Sequence, residues 1–193
     1  ISHFILLDKG SIAMTGEMGD VIDKYVSESV ANTESCAIWD KKQTEDKPIQ
    51  LIHAEIKNSE GKPSSTLSCD EDFDIELTLL LKKQVSSVNG FYTLRSGKDT
   101  VSLFQTQSND TKIKKLDNLP IGISNIRLHF PKRILGHGKY YGRLTLLNSQ
   151  NWSQHYDMVE PCLTFEINDY GTDYGNRRPG FFSTLIDWEL VKD

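Results

Sequence analysis

Phe73-Asp74-Ile75-Glu76-Leu77-Thr78-Leu79-Leu80-Leu81 carries the clearest signal of how this chain folds. Phe73, Ile75, Leu77, Leu79 and Leu81 alternate with Asp74, Glu76 and Thr78, the period of two that gives a half-buried strand one apolar and one polar face. On its N-terminal side Ile52, Ala54 and Ile56 alternate with His53, Glu55 and Lys57, and the run ends in the turn Asn58-Ser59-Glu60-Gly61. On its C-terminal side further runs fall at 90–95, 100–106, 123–130, 139–147, 161–167 and 181–190. They are separated by Ser96-Gly97-Lys98-Asp99, Leu119-Pro120-Ile121-Gly122, Gly136-His137-Gly138 and the stretch Asp169 to Gly180. About eight strands with turn signals and no helix between them predict an antiparallel all-β fold, a β-sandwich or jelly roll rather than a βαβ fold.

The first thirty residues have another pattern. Phe4-Ile5-Leu6-Leu7 and Ser11-Ile12-Ala13-Met14 flank the turn residues Asp8-Lys9-Gly10 as a short β-hairpin, and Val21, Ile22, Tyr25 and Val26 recur at helical spacing over Met18 to about Ser29. A hairpin and a short α-helix cannot bury a core, so residues 1–30 read as the end of an upstream domain. Residues 31–48 read as a linker with a first strand around Ala37-Ile38-Trp39, and 49–193 as the sandwich. The start at Ile1 instead of Met, with no basic stretch and apolar signal core, points the same way.

Composition narrows the classes of function. In 193 residues, 22 Lys and Arg stand against 27 Asp and Glu, a net charge of -5, which disfavours nucleic acid as a partner. No apolar run approaches the ~20 residues that span a bilayer. Cys36, Cys69 and Cys162 have no CxxC spacing, and the five histidines form no HxxxH or HxH pair, so neither a metal site nor a disulfide framework is expected. No phosphate-binding loop precedes Gly97-Lys98 or Gly138-Lys139, and no GxSxG occurs. Asp70-Glu71-Asp72 and Asp74/Glu76 would satisfy a loose search for the paired carboxylates of a glycosidase, but they read better as a charged strand entry and a solvated outer face. The sequence points to no catalytic residue and no cofactor.

Rings and guanidinium groups are more informative. If Tyr92 and Leu94 face the core, Phe91, Thr93 and Arg95 face out, and the same alternation puts Val101 and Leu103 in, with Ser102, Phe104 and Thr106 out. Ile126, Leu128 and Phe130 inward leaves Arg127 and His129 outside, and Leu144 and Leu146 inward leaves Tyr141 and Arg143 outside. Such a face suits sugar, whose C–H faces stack on rings while its hydroxyls or an anionic cap accept bonds from arginine. A loop of Asn151 to Tyr156, carrying Trp152 and His155, supplies a wall. The candidate glycan-binding residues are therefore Phe91, Arg95, Phe104, Arg127, His129, Tyr141, Arg143, Trp152 and His155. Arg95, Arg127 and Arg143 make one site only if their strands share a sheet.

The two parts together resemble a known family. Phe4 to Ile12 followed by Gly16 to Tyr25 resembles the last hairpin and helix of ABC-transporter ATP-binding domains. Joined to Ala37-Ile38-Trp39, Val88-Asn89-Gly90-Phe91-Tyr92-Thr93-Leu94 and the terminal Gly180-Phe181-Phe182 to Asp187-Trp188-Glu189, it resembles the C-terminal portion of a Wzt-type O-antigen polysaccharide exporter subunit. The resemblance implies an antiparallel β-sandwich of jelly-roll type that serves as a carbohydrate-binding module of a Gram-negative bacterium. It would be cytoplasmic and peripheral at the inner membrane, and would recognise the capped non-reducing end of an O-antigen polysaccharide during lipopolysaccharide biosynthesis. The implied partners are that terminus, a membrane-spanning transporter subunit reached through the upstream ATP-binding domain, and a second copy in a homodimer. The dimer would exchange its final strand through Pro179, Gly180, Phe181, Phe182, Leu185 and Trp188. The alternative is a structural or regulatory dimerisation domain that binds no glycan.

Overall fold

A computed structural model describes residues 4–8, 11–17, 20–21, 24, 36–41, 46–98, 101–111 and 115–191. Its strands in chain order are β1 (Phe4–Asp8), β2 (Ser11–Gly16), β3 (Ile38–Asp40), β4 (Ile49–Lys57), β5 (Thr66–Ser68) and β6 (Phe73–Leu81). They continue with β7 (Val88–Ser96), β8 (Ser102–Gln107), β9 (Gly122–Phe130), β10 (Gly138–Asn148) and β11 (Asn151–Asn168). β1 and β2 form the expected hairpin. The helix expected over Met18 to Ser29 lies mostly outside the described residues. Within it Asp20, Val21 and Lys24 have helical backbone, and the Val21 N–H donates to the Glu17 carbonyl at 3.1 Å.

Two sheets close over one core. One has the order β5-β11-β10-β7-β8 and the other β3-β4-β6-β9; every pairing is antiparallel except that of β5 with β11. The alternation of β6 is realised in full, with Phe73, Ile75, Leu77, Leu79 and Leu81 buried between the sheets and Ile75 paired with Ile56 on one side and Leu128 on the other. Tyr92, Leu94, Leu144, Leu146 and Phe165 meet them from the opposite sheet. At one end the Phe73 and Phe130 rings stack at 4.6 Å, and Phe104 packs on Phe130 at 6.0 Å. Burying two apolar faces against each other is the main favourable term in such a fold.

Several strand expectations need correction, and bulges account for most of them. A register shift between Leu51 and His53 moves the core phase of β4 from Ile49 and Leu51 to Ala54 and Ile56, leaving Ile52 half-buried. Another, between Leu94 and Arg95, pairs Leu94 with Phe104 but Arg95 with Ser102. One extra residue in a strand reverses the facing of the residues beyond it, so Phe104 points to the core and Val101 is exposed. The segment 151–156, expected as a loop, is the start of β11; three register shifts against β10 break the alternation that would have announced it. Residues 181–190 form no strand in the structure. The Gly136 N–H donates to the Phe181 carbonyl at 2.8 Å and the Ser183 hydroxyl to the Leu135 carbonyl at 2.7 Å. Beyond Ser183 the segment has no sheet partner among the described residues and is exposed.

Candidate functional site

Cross-strand pairing fixes which side chains gather on the outer face of the five-stranded sheet. β10 and β7 pair Tyr141 with Arg95, Arg143 with Thr93, Thr145 with Phe91 and Leu147 with Asn89. On the flanks β8 sets Gln105 beside Thr93, and β11 sets Met158 beside Thr145 and His155 beside Leu147. Same-face neighbours across a ladder lie about 4.5–5.5 Å apart at Cβ, so these residues form one surface. A groove of about 260 Å³ runs over it, with Arg95 and Arg143 on its floor and Phe91, Trp152 and His155 along one side. Trp152 is 58% exposed, and its ring meets Phe91 edge-on at 5.5 Å. Thr93, Ser102, Gln105 and Thr145 add hydroxyl and amide groups, with the Thr93 hydroxyl donating to Gln105 Oε1 at 3.2 Å.

Both guanidinium groups share one carboxylate. Arg95 Nη1 lies 3.4 Å from Glu160 Oε1 and Arg143 Nε lies 3.4 Å from Glu160 Oε2. The Glu160 side chain is 19% exposed, and its two oxygens bring the two guanidinium heads to one carboxylate. Among the described residues, these two cations and one anion sum to a single positive charge.

The expected binding residues divide into three groups. Phe91, Arg95, Arg143, Trp152 and His155 are brought together. Tyr141 shares their face but is 0% exposed, which makes it a packing residue under Arg95. Phe104 turns inward, and Arg127 and His129 lie on the outer face of the other sheet, because β9 pairs with β6. The three arginines therefore do not form one site. On the far face Arg127 Nη2 donates to Glu76 Oε1 at 3.0 Å, Lys57 Nζ donates to Glu76 Oε2 at 2.6 Å, and His129 Nδ1 lies 2.8 Å from Asp74 Oδ1. The Lys57 hydrogen bond holds the Glu76 carboxyl below its ordinary value against the opposing effect of burial, the reverse of what a general acid needs. Asp74 and Glu76 thus act as rungs of a charged ladder. Gln105 and Glu160 are not legible as groove residues in the sequence. Gln105 is hidden by the bulge, whereas Glu160 carries no signal beyond being a charge inside an apolar strand.

Among the described residues no three His, Cys, Asp or Glu gather in a way that could hold a metal ion. The three cysteines are free thiols, and burial pushes the Cys162 thiol up to about 12.

Residues 40–183 match the family model of the Wzt C-terminal domain, most of the 193-residue chain. The chain belongs to the Wzt C-terminal domain family. Among solved structures, the crystal structure of the C-terminal domain of Wzt aligns with a TM-score of 0.62 at 11% identity, covering 80% of this chain and 87% of that one. At that identity the likeness establishes a shared fold. A β-glucosidase from Listeria innocua in complex with glucose aligns at a TM-score of 0.32 and 11% identity over 59% of this chain and 16% of that one. An immunoglobulin-like protein from Pseudomonas aeruginosa aligns at 0.30 and 9% over 70% and 99%. Likenesses this distant carry no argument. No curated protein matches the chain in sequence. Among the described residues of this Wzt C-terminal domain, no helix is long and apolar enough to cross a membrane.

Proposed function

We propose that this domain binds, without catalysis or cofactor, the capped non-reducing end of an O-antigen polysaccharide, and that the groove over β7 and β10 is the site. It would thereby select the substrate of an ABC exporter at the cytoplasmic side of the inner membrane. The observation that carries the reading is the convergence of two arginines, an exposed tryptophan and a row of hydroxyl and amide groups on one concave patch. Rings take the C–H faces of a sugar and the fan of guanidinium donors takes its oxygens. Titration of the protein with capped polysaccharide from its own source, and with the same polysaccharide uncapped, tests it. Arg95→Ala and Arg143→Ala should each weaken binding about ten- to hundredfold, as expected for charge-assisted hydrogen bonds of about 1.5–3 kcal/mol. Trp152→Ala should weaken it several-fold or more, and Arg127→Ala should leave it unchanged. Unaltered affinity in the Arg95, Arg143 and Trp152 variants would place the site elsewhere.

A homodimer is the second part of the reading, favoured by the terminal segment. From Ile186 onward Ile186, Trp188 and Leu190 alternate with Asp187 and Glu189, and Trp188 is 98% exposed. This is a half-buried strand pattern without a sheet. Among the described strands β9 is an open edge of nine residues, and an exchanged segment of similar length from a second copy would cover it. Gly180, at φ 100°, sits where Pro179 to Phe182 would act as the hinge, and Leu185 and Trp188 would travel with the strand. Contact with the membrane-spanning subunit would run through the upstream ATP-binding domain.

A further inference from the structure

The two sheets do not close over each other along their whole length. On the open side of β9, Ile126 and Leu128 face the core but are only half-buried, whereas Leu77 and Leu79 on the neighbouring β6 are 2% and 1% exposed. On the opposite sheet the edge strand β8 likewise leaves Leu103 and Phe104 half-buried. Between these two edges a cleft of about 240 Å³ enters the core. Its walls include Leu79, Ile126 and Leu128 from one sheet and Tyr92, Leu144 and Leu146 from the other, and Thr106, Gln107 and Asp110 stand at its polar mouth. An apolar floor inside a polar rim is the anatomy of a protein interface.

A cavity of roughly 150 Å³ with aliphatic and aromatic walls takes one benzene molecule, and scaling from six ring atoms to nine gives an indole roughly 225 Å³. The cleft is of that size, and the terminal segment carries such a group without a partner: Trp188 is 98% exposed, with Ile186 and Leu190 also exposed two residues to either side. In an extended chain these three share one face, and Asp187 and Glu189 take the other. A strand laid along β9 turns one of those faces toward the cleft, and burying two unpaired carboxylates there is the costly choice. Within one chain the apolar row and the cleft stand open together, while the segment is pinned by Phe181 and Ser183 to the loop after β9. The row that fills the cleft therefore comes from a second copy.

We propose that the cleft between β8 and β9 is the seat of the Trp188 indole of a second copy, with Ile186 and Leu190 closing it on either side, so that Trp188 anchors the homodimer. This rests on the reading of the terminal segment as an exchanged strand and assigns the place where that strand is held. The indole N–H is the one polar group the side chain brings, and the oxygens of Thr106, Gln107 and Asp110 at the mouth are acceptors for it.

The test follows the 193-residue chain by sedimentation over a dilution series, with its three tryptophans replaced by 5-fluorotryptophan for fluorine NMR. The Trp188 line is identified by its loss in Trp188→Ala. The native chain is expected to dimerise, and in the dimer the Trp188 line should become protected from a dissolved paramagnetic probe. Trp188→Ala should weaken the dimer by about thirtyfold or more, as for a buried aromatic anchor. Asp187→Ala, on the opposite face of the strand, should change it by less than about threefold. Thr106→Trp, which closes the mouth of the cleft from an edge strand, should weaken the dimer about as much as Trp188→Ala does. A dimer unaffected by Trp188→Ala or by Thr106→Trp, or a Trp188 line equally open to the probe in monomer and dimer, overturns the proposed seat while the homodimer stands. A chain that stays monomeric at every concentration overturns the seat and the homodimer together.

Discussion

Residue by residue, the groove depends on side chains whose own chemistry is ordinary and whose neighbours are not. Arg95 and Arg143 are legible as outward residues from their alternation with Leu94 and Leu144. That a carboxylate seventeen residues beyond Arg143 would pair with both is not. Gly142 shows the same dependence in the core. It lies between Tyr141 and Arg143 on β10, and a Cβ added there would sit 1.9 Å from the hydroxyl of buried Tyr92 and 2.6 Å from its Cζ atom. The tyrosine ring occupies the space the glycine leaves, which is a close approach that a larger residue cannot share. Gly142→Ala is expected to cost about 1–3 kcal/mol through forced displacement of that ring, measured as a lowered denaturation midpoint. Because Arg143 is adjacent, the same variant should also loosen the groove floor and lower glycan affinity.

The elements differ in how openly the sequence declares them. β6 and the second half of β9, from Ile126 to Phe130, are legible residue by residue because both alternate strictly, one face in the core and one in water. β8 and the first part of β11 are not, because bulges shift the phase and an edge position relaxes the requirement for apolar residues. β11 is held at two points by buried carboxylates. The Asp157 side chain, 1% exposed, receives Lys47 Nζ at 2.5 Å and the Leu51 N–H at 2.9 Å, and so ties β11 to β4. At the far end Asp169 receives Arg133 Nη1 at 3.1 Å and the Thr172 hydroxyl at 2.9 Å, while Arg133 Nε also donates to Asp70 at 2.8 Å. Burial works to raise the Asp169 carboxyl, but the bonds from Arg133 and Thr172 outweigh it and hold the group below its ordinary 3.8. A carboxylate depressed in the folded state contributes stability that is full above its unfolded value and is lost as pH falls through the folded one. Stability should therefore begin to fall below about pH 4. Asp169→Asn should lower stability by about 3–5 kcal/mol at pH 7 and flatten the dependence below about pH 4, read from thermal melts between about pH 7 and about pH 3.

Over the whole molecule, a five-stranded sheet covers a four-stranded one, and among the described strands β9 has no neighbour on one side. The terminal segment is the complementary feature, an alternating pattern with no sheet. Its first residues are anchored by Phe181 and Ser183 to the loop after β9, so removal of residues 185–193 leaves those anchors and the core untouched. That truncation is expected to convert a dimer to a monomer in light scattering with little change in melting temperature. An unchanged mass would exclude exchange through this segment. The class of fold and the outward facing of Phe91, Arg95, Arg127, His129 and Arg143 are written in the sequence, because alternation is a local property set by the geometry of an extended chain. The family resemblance is written there too. That Arg127 stands with His129 on the opposite sheet, that Phe104 belongs to the core and that Glu160 joins Arg95 to Arg143 emerge only once the chain has folded. Strand order and bulge positions depend on which distant segments pair, and no local pattern records that choice.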